Sequence, residues 1–305
     1  MRIAENWSDY ALLDCSDGER LERWGEVLLI RPDPQVIWKG GRQSPLWREA
    51  HARYVRASSG GGQWEFDRQM PTPWRVAYGA LLFGLKPMGF KHTGLFPEQA
   101  VNWEVLAGEV RRLCAPGLAH NQSQDAAQRP RVLNLFAYTG GATLACLAAG
   151  AHVTHVDAAK GMVLRARENA EISGLGSRPV RWIVEDCVKF AQREVRRENL
   201  YDIILMDPPS YGRGPGGEVW QLAAELDNLL TLCARLLQPR GMLLLNSYSA
   251  ELSPAVMHYA LARKLTPLLG GTVVCDEIGL RCQATDLSLP CGSTAVWRGE
   301  YSGSA

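Results

Sequence analysis

Asp207, Pro208, Pro209, Ser210 and Tyr211 follow directly on an apolar run at residues 201–206. An acid, two prolines and an aromatic at a strand exit can hold a planar amine. Proline lacks an N–H, so the carbonyls around the pair do not close local hydrogen bonds and are expected to point outward. A substrate amine would donate to the Asp207 carboxylate and the Pro208 carbonyl, while Tyr211 stacks on a base taken out of its helix. Asp207, Pro208 and Tyr211 are therefore the expected catalytic set. A rigid strand exit is the alternative. Residues 212–217, Gly-Arg-Gly-Pro-Gly-Gly, read as a mobile segment that closes over substrate with Arg213 offered to a phosphate, or else as a plain surface loop.

Upstream, Asn134-Leu135-Phe136-Ala137-Tyr138-Thr139-Gly140-Gly141 carries a strand into a two-glycine turn and then a helix. Glycine permits positive φ and close approach, and a helix N-terminus offers N–H groups to a carboxylate. The methionine carboxylate of S-adenosylmethionine (SAM) suits such a turn, although Gly-Gly alone also marks an ordinary strand-to-helix turn. Asp157 ends the next strand, where a carboxylate binds ribose hydroxyls or caps a helix. Asp186 ends the third, beside the expected adenine, with the Cys187 N–H facing a ring nitrogen; capping is again the other reading. What favours a cofactor site is the joint order: glycine turn, acid, acid and Asp-Pro-Pro at four successive strand ends. The expected SAM contacts are Asn134, Phe136, Ala137, Tyr138, Thr139, Gly140, Gly141, Asp157, Asp186, Cys187 and Asp207. Phe96 and Gln99 join them, because residues 91–99 mix polar and aromatic groups at a domain junction.

The elements that must position these residues alternate. Strands are expected at 132–136, 152–157, 180–186, 203–207 and 241–248, and helices at 142–149, 162–173, 190–199, 222–237 and 254–265. That alternation implies an α/β fold with a doubly wound, mostly parallel sheet covered on both faces. Residues 272–278 and 293–297 are strand-like with no helix between them, so the last strand is expected to be antiparallel. Residues 1–90 read differently, as short strands at 27–30, 64–66, 74–78 and 81–86 among Gly- and Pro-bearing turns such as 58–62. The expected organisation is a small β-rich domain at 1–90, a helix (101–113) and linker over 91–130, and a SAM-binding domain at 131–305.

At 305 residues and 46% hydrophobic, the chain has ample core material. Lys plus Arg number 33 against 32 for Asp plus Glu, a net charge of +1 that supplies no global pull toward nucleic acid. RNA would have to meet a local patch. The first 25 residues carry six acids and no apolar segment, so a cytoplasmic protein without membrane spans is expected. Eight cysteines show no C-x-x-C pair and no metal spacing, implying reduced thiols and no metal.

Taken together, these motifs resemble the class I SAM-dependent methyltransferases related to the bacterial large-subunit rRNA enzymes that make 5-methylcytosine or N-methylguanine. The resemblance covers residues 75–300 and is specific as a set. His92-Thr93-Gly94-Leu95-Phe96-Pro97-Glu98-Gln99 is similar to that family's Lys-Thr-Gly-aromatic-aromatic-x-Asp-Gln-Arg segment, with Ala100 in place of the Arg. The likeness is closest to a subfamily without the RNA-binding PUA module, since residues 1–90 suffice only for the small β domain. It implies a Rossmann-like sheet with an antiparallel last strand. The cytosine enzymes place a nucleophilic cysteine after strand five, where this chain has Asn246-Ser247-Tyr248-Ser249. Attack through carbon 5 of cytosine needs that thiolate, so the expected acceptor is a base nitrogen of RNA, ribosomal RNA first. The alternatives are a protein or small-molecule methyltransferase and a nicotinamide oxidoreductase, the latter weakened by the missing G-x-G-x-x-G. The sequence leaves oligomeric state open.

Overall fold

A computed structural model describes residues 1–57, 61–115, 129–214 and 216–300. Most of the expected linker, residues 116–128, lies outside them, as do Ser58–Gly60 and Pro215 of the two glycine-bearing loops. The chain divides into two compact units, Met1–Val101 with Ile278–Cys291, and Asn102–Glu277 with the chain from Gly292 onward.

The first unit contains β1 (Arg2–Ile3), β2 (Tyr10–Ser16), β3 (Glu19–Trp24), β4 (Val27–Pro32), β5 (Ala52–Arg56), β6 (Gly62–Phe66), β7 (Trp74–Tyr78) and β8 (Leu81–Leu85). Strands β2 to β6 form a five-stranded sheet in chain order, and β7 and β8 form a hairpin. The expected strands at 27–30, 64–66, 74–78 and 81–86 correspond to β4, β6, β7 and β8, whereas β1, β2, β3 and β5 were not anticipated. Composition hides them: β3 reads Glu-Arg-Leu-Glu-Arg-Trp, and charged residues normally mark solvent. Here the charges are internal. Glu22 accepts from Tyr10 Oη (2.8 Å), Arg31 Nε (2.5 Å) and Arg31 Nη2 (2.8 Å), and Arg20 lies between Glu22 (3.3 Å) and Asp33 (3.4 Å). Asp14 accepts from the Gln43 and Ser44 amides and from Trp47 Nε1. Such burial is tolerated because each charge faces an opposite charge or hydrogen-bond donors.

The second unit starts on α1 (Ala100–Cys114) and continues through β9 (Arg131–Leu135), α2 (Gly141–Ala148), β10 (His152–Asp157), α3 (Lys160–Ile172), β11 (Val180–Val184), α4 (Cys187–Arg196) and β12 (Tyr201–Met206). A short hairpin, β13 (Tyr211–Arg213) and β14 (Val219–Gln221), precedes α5 (Leu222–Leu236), β15 (Leu237–Ser247), α6 (Pro254–Leu269), β16 (Thr272–Arg281) and β17 (Ser288–Arg298). The sheet order is β16-β17-β15-β12-β9-β10-β11, and β17 runs antiparallel to β15, as expected. Several boundaries differ: the third strand stops at Val184, α4 begins at Cys187 because Asp186 caps it, β15 begins at Leu237, α6 runs to Leu269, and the last two strands are longer than expected. The segment after Tyr211, expected to be a mobile loop, is partly ordered as the β13–β14 hairpin.

Side-chain alternation along β9 shows how the layers are built. Leu133 and Leu135 join Phe190 of α4, Leu229 of α5 and Leu261 of α6 in one apolar core, while the intervening Asn134 reaches Thr143 of α2. Parallel crossovers carry the chain from β9 outward to β11, then back to β12 on β9's other side. The direction of winding thus reverses between β9 and β12. In open α/β sheets, ligands bind at the carboxyl ends of strands flanking such a reversal.

Candidate functional site: the carboxyl edge of the sheet

At the end of β9 the backbone is forced into a tight turn. Phe136 (φ +55°), Tyr138 (φ +50°) and Gly140 (φ +87°) all adopt left-handed conformations. For residues with a Cβ this costs on the order of 1 kcal/mol each, and specific contacts hold them there. The Phe136 N–H donates to Cys187 Sγ (3.2 Å), and its ring lies 4.8 Å from Trp220. The Tyr138 N–H donates to Asp157 Oδ2 (2.8 Å), and Ala137 N–H to the Val156 carbonyl (3.1 Å). Thr139 is buried, its carbonyl accepting from Asn169 Nδ2 (3.0 Å).

The glycines are required by protein rather than by open space for a ligand. A Cβ on Gly140 would stand 2.9 Å from Ala166 Cβ, and one on Gly141 only 2.4 Å from the Trp103 ring. Gly140 is the N-cap of α2 and supplies no side-chain cap. Helix N-terminal amides left without a capping side chain carry partial positive charge and suit an anion.

Asp186 caps α4, whereas Asp157 accepts from backbone just ahead of α3, whose N-cap Ala159 has no capping side chain. Asp157 Oδ1 accepts from the Ala159 N–H (2.8 Å) while Oδ2 holds Tyr138, so this carboxylate ties the turn to the start of α3. Burial raises its pKa, against the lowering effect of those two amides. Asp186 Oδ1 accepts from the Lys189 N–H (2.9 Å). Each carboxylate oxygen has two lone pairs, so capping and ligand binding are compatible. The Cys187 side chain is buried between Phe136 and Val156, and burial pushes its thiol pKa well up, which makes it a strut for the turn.

Asp207 sits at the exit of β12, with Oδ1 accepting from Asn246 Nδ2 of β15 (2.9 Å). Pro208 is buried and Pro209 exposed, and the Pro209 carbonyl accepts from Trp220 Nε1 (2.6 Å). Tyr211 opens the hairpin and is 52% exposed, leaving a ring face for stacking. Trp220 therefore joins the proline turn to the β9 turn through one side chain. An exposed ion pair, Lys189–Glu218, links α4 to the hairpin.

The turn residues 136–141, Asp157, Asp186, Cys187, Asp207, Pro208 and Tyr211 thus gather on one sheet edge. Asn134 does not: its side chain is spent below the edge on Thr143, which also meets His155 Nδ1 (2.9 Å). Phe96 and Gln99 belong to the first unit, where the Phe96 ring is 5.1 Å edge-on from His92 and its carbonyl accepts the Gln99 N–H. Burial, with the nearby Arg31 and Lys91 charges, lowers the His92 pKa to about 4. Sequence reasoning missed Trp220 and Asn246. A lone amide inside the apolar run 242–246 was the available signal, because a buried amide demands partners.

A family model described as S-adenosylmethionine-dependent methyltransferase matches residues 114–269, half of the chain. The chain belongs to this family. A SAM-dependent methyltransferase from Agrobacterium tumefaciens has the same fold, with a TM-score of 0.87 and 36% identity over 98% of this chain and 93% of that one. Among curated relatives, ribosomal RNA large subunit methyltransferase K/L of Shewanella frigidimarina is 30% identical over 172 residues, 56% of this chain and 21% of its own length. Ribosomal RNA large subunit methyltransferase I of Aeromonas hydrophila is 29% identical over 133 residues, 43% of this chain and 33% of its own. The chain thus spans a fifth to a third of those relatives. SAM is the cofactor of this methyltransferase, and the edge fits it: an uncapped helix N-terminus for a carboxylate, and two acids of the kind that receive hydroxyl and amine hydrogens. No helix among the described residues is long and apolar enough to cross a membrane.

Proposed function

We propose that this methyltransferase acts on a nitrogen of an RNA base, in ribosomal RNA, and that Asp207, Pro208 and Tyr211 hold the acceptor. The carrying observation is the pairing of an Asn246-oriented carboxylate with an exposed tyrosine four residues later. The two relatives named as large-subunit rRNA methyltransferases support the substrate class. SAM supplies an electrophilic methyl on a sulfonium. The amides at the start of α2 would take its carboxylate, Asp157 its ribose hydroxyls, and Asp186 with the Cys187 N–H its adenine, the turn 136–141 shaping the wall. Asp207 and the Pro208 carbonyl would accept the acceptor's N–H hydrogens and so direct its lone pair, with Tyr211 stacked on the ring. Catalysis by positioning of this kind is worth up to about 7–11 kcal/mol.

Methyl incorporation from labelled SAM into rRNA and protein fractions of a deletion strain tests the reading. At saturating SAM, Asp207→Ala is expected to cut transfer about 100-fold or more, and Tyr211→Ala to raise the KM for RNA about tenfold, in line with one lost stacking contact. Full turnover by Asp207→Ala would remove its assigned role. Label entering protein instead of rRNA would favour the second reading, a protein methyltransferase, to which the net charge of +1 is better suited.

A further inference from the structure

Behind Asp207 lies a chain of neutral polar groups, all within the second unit. Asn246, Asn102 and Thr294 are each about 1% exposed. Asn246 Nδ2 donates to Asp207 Oδ1 (2.9 Å), and Asn246 Oδ1 accepts from Thr294 Oγ1 (2.8 Å) and Asn102 Nδ2 (3.3 Å). Asn102 Nδ2 also donates to Thr294 Oγ1 (3.1 Å). These residues come from β15, α1 and β17, three elements far apart in sequence. A carboxylate can only accept, so the amide end that faces it must be the NH2. That choice turns the Asn246 oxygen toward the hydroxyl and the second amide, and every later bond in the chain has one consistent direction. A buried polar group that is fully engaged in this way is held in a single rotamer.

We propose that Asn246 is a positioning residue for methyl transfer, set by Asn102 and Thr294 so that its amide fixes the Asp207 carboxylate toward the acceptor nitrogen. The proposal rests on the acceptor-holding role of Asp207 given above. Asn246 touches neither cofactor nor acceptor in this role. Its effect belongs to the geometry of Asp207, and so should be read in kcat rather than in SAM binding.

A double-mutant cycle tests this. Asn246→Ala, Asp207→Ala and the double variant are assayed with labelled SAM on whichever cell fraction the wild-type enzyme labels, with SAM affinity followed by calorimetry. Asn246→Ala is expected to lower kcat about tenfold to 100-fold, the range for one hydrogen bond to a charged group, with SAM affinity unchanged within about threefold of wild type on the same scale. Because Asn246 acts through Asp207, the double variant should be no slower than Asp207→Ala alone. Additive losses, or an unchanged kcat for Asn246→Ala, would overturn the proposal while leaving Asp207 in place. Full turnover by Asp207→Ala would instead defeat the reading beneath it. Should Asn246→Ala fail to fold, Thr294→Val removes only the hydroxyl that fixes the amide. It should lower kcat severalfold with SAM affinity retained, and wild-type kcat for this variant would equally sink the idea.

Discussion

The sheet of the first unit and the carboxyl edge of the second bury different kinds of polar group. In the first, the sheet interior is ionic: Glu22, Arg20, Arg31 and Asp14 are all at most 6% exposed and are paired with one another or with amides. Around the carboxyl edge of the second, the buried polar groups are neutral, namely Asn102, Asn134, Thr143, Asn246 and Thr294, with His155 kept uncharged as burial pushes its pKa down to about 3. Paired charges hold strands together where apolar pattern is thin. Neutral amides and hydroxyls carry direction at low desolvation cost, which is what an edge that must aim a carboxylate needs.

This contrast makes graded predictions. Removing one partner of the ionic core is expected to have the largest effect: Glu22→Ala leaves Arg31 and Arg20 buried without their shared carboxylate and should cost about 3–5 kcal/mol in urea unfolding. The same network sets a pH dependence. Burial alone would raise the Glu22 pKa, but Arg20 and Arg31, with hydrogen bonds from Arg31 and Tyr10, hold it at about 2 against an ordinary 4.5. A depressed carboxylate pKa contributes stability above its unfolded value. That contribution should therefore be present above pH 4.5 and be lost as pH falls toward 2, a slope that Glu22→Ala abolishes.

A smaller loss is expected where the edge relies on packing. Gly141→Ala drives a methyl into the Trp103 ring and should cost about 1–3 kcal/mol by denaturant midpoint, with weaker SAM binding. Substituting Trp103→Leu in the same chain should recover most of that stability. Least affected should be Lys189→Ala, since the Lys189–Glu218 pair is exposed: its urea midpoint should match wild type within error. A clear drop there would show that the hairpin depends on this contact rather than on Trp220.

Legibility followed the same divide. Apolar runs such as Val132 to Leu135 and Ile203 to Met206 announce buried parallel strands, and the mostly parallel sheet, the antiparallel finish and the gathering of Asp157, Asp186 and Asp207 at one edge agree with the sequence reading. β2 and β3 were unreadable because their interior residues include Asp14, Arg20 and Glu22, whose partners lie on other strands and loops. The Asp186 cap was legible, since helix capping can be read from position, whereas the bond from the Tyr138 amide to Asp157 was not. The bond from Asn134 to Thr143 was not legible either, because being in the motif does not decide which face a side chain takes. Trp220 was invisible because its partners, Phe136 and Pro209, depend on a hairpin that glycines and a surface-like composition disguise.

Neither unit is a continuous stretch of chain. Arg2 and Ile3 pair with Ile278 and Gly279, Leu12 bridges to Cys282, and the Gln35 amide donates to the Cys291 carbonyl. During synthesis from the N-terminus, the first strands leave the ribosome long before these partners exist. Residues 2–35 must wait for partners about 250 residues further on, so a nascent chain stopped before residue 278 would contain an unfinished first unit with an open strand edge, a natural client for chaperones.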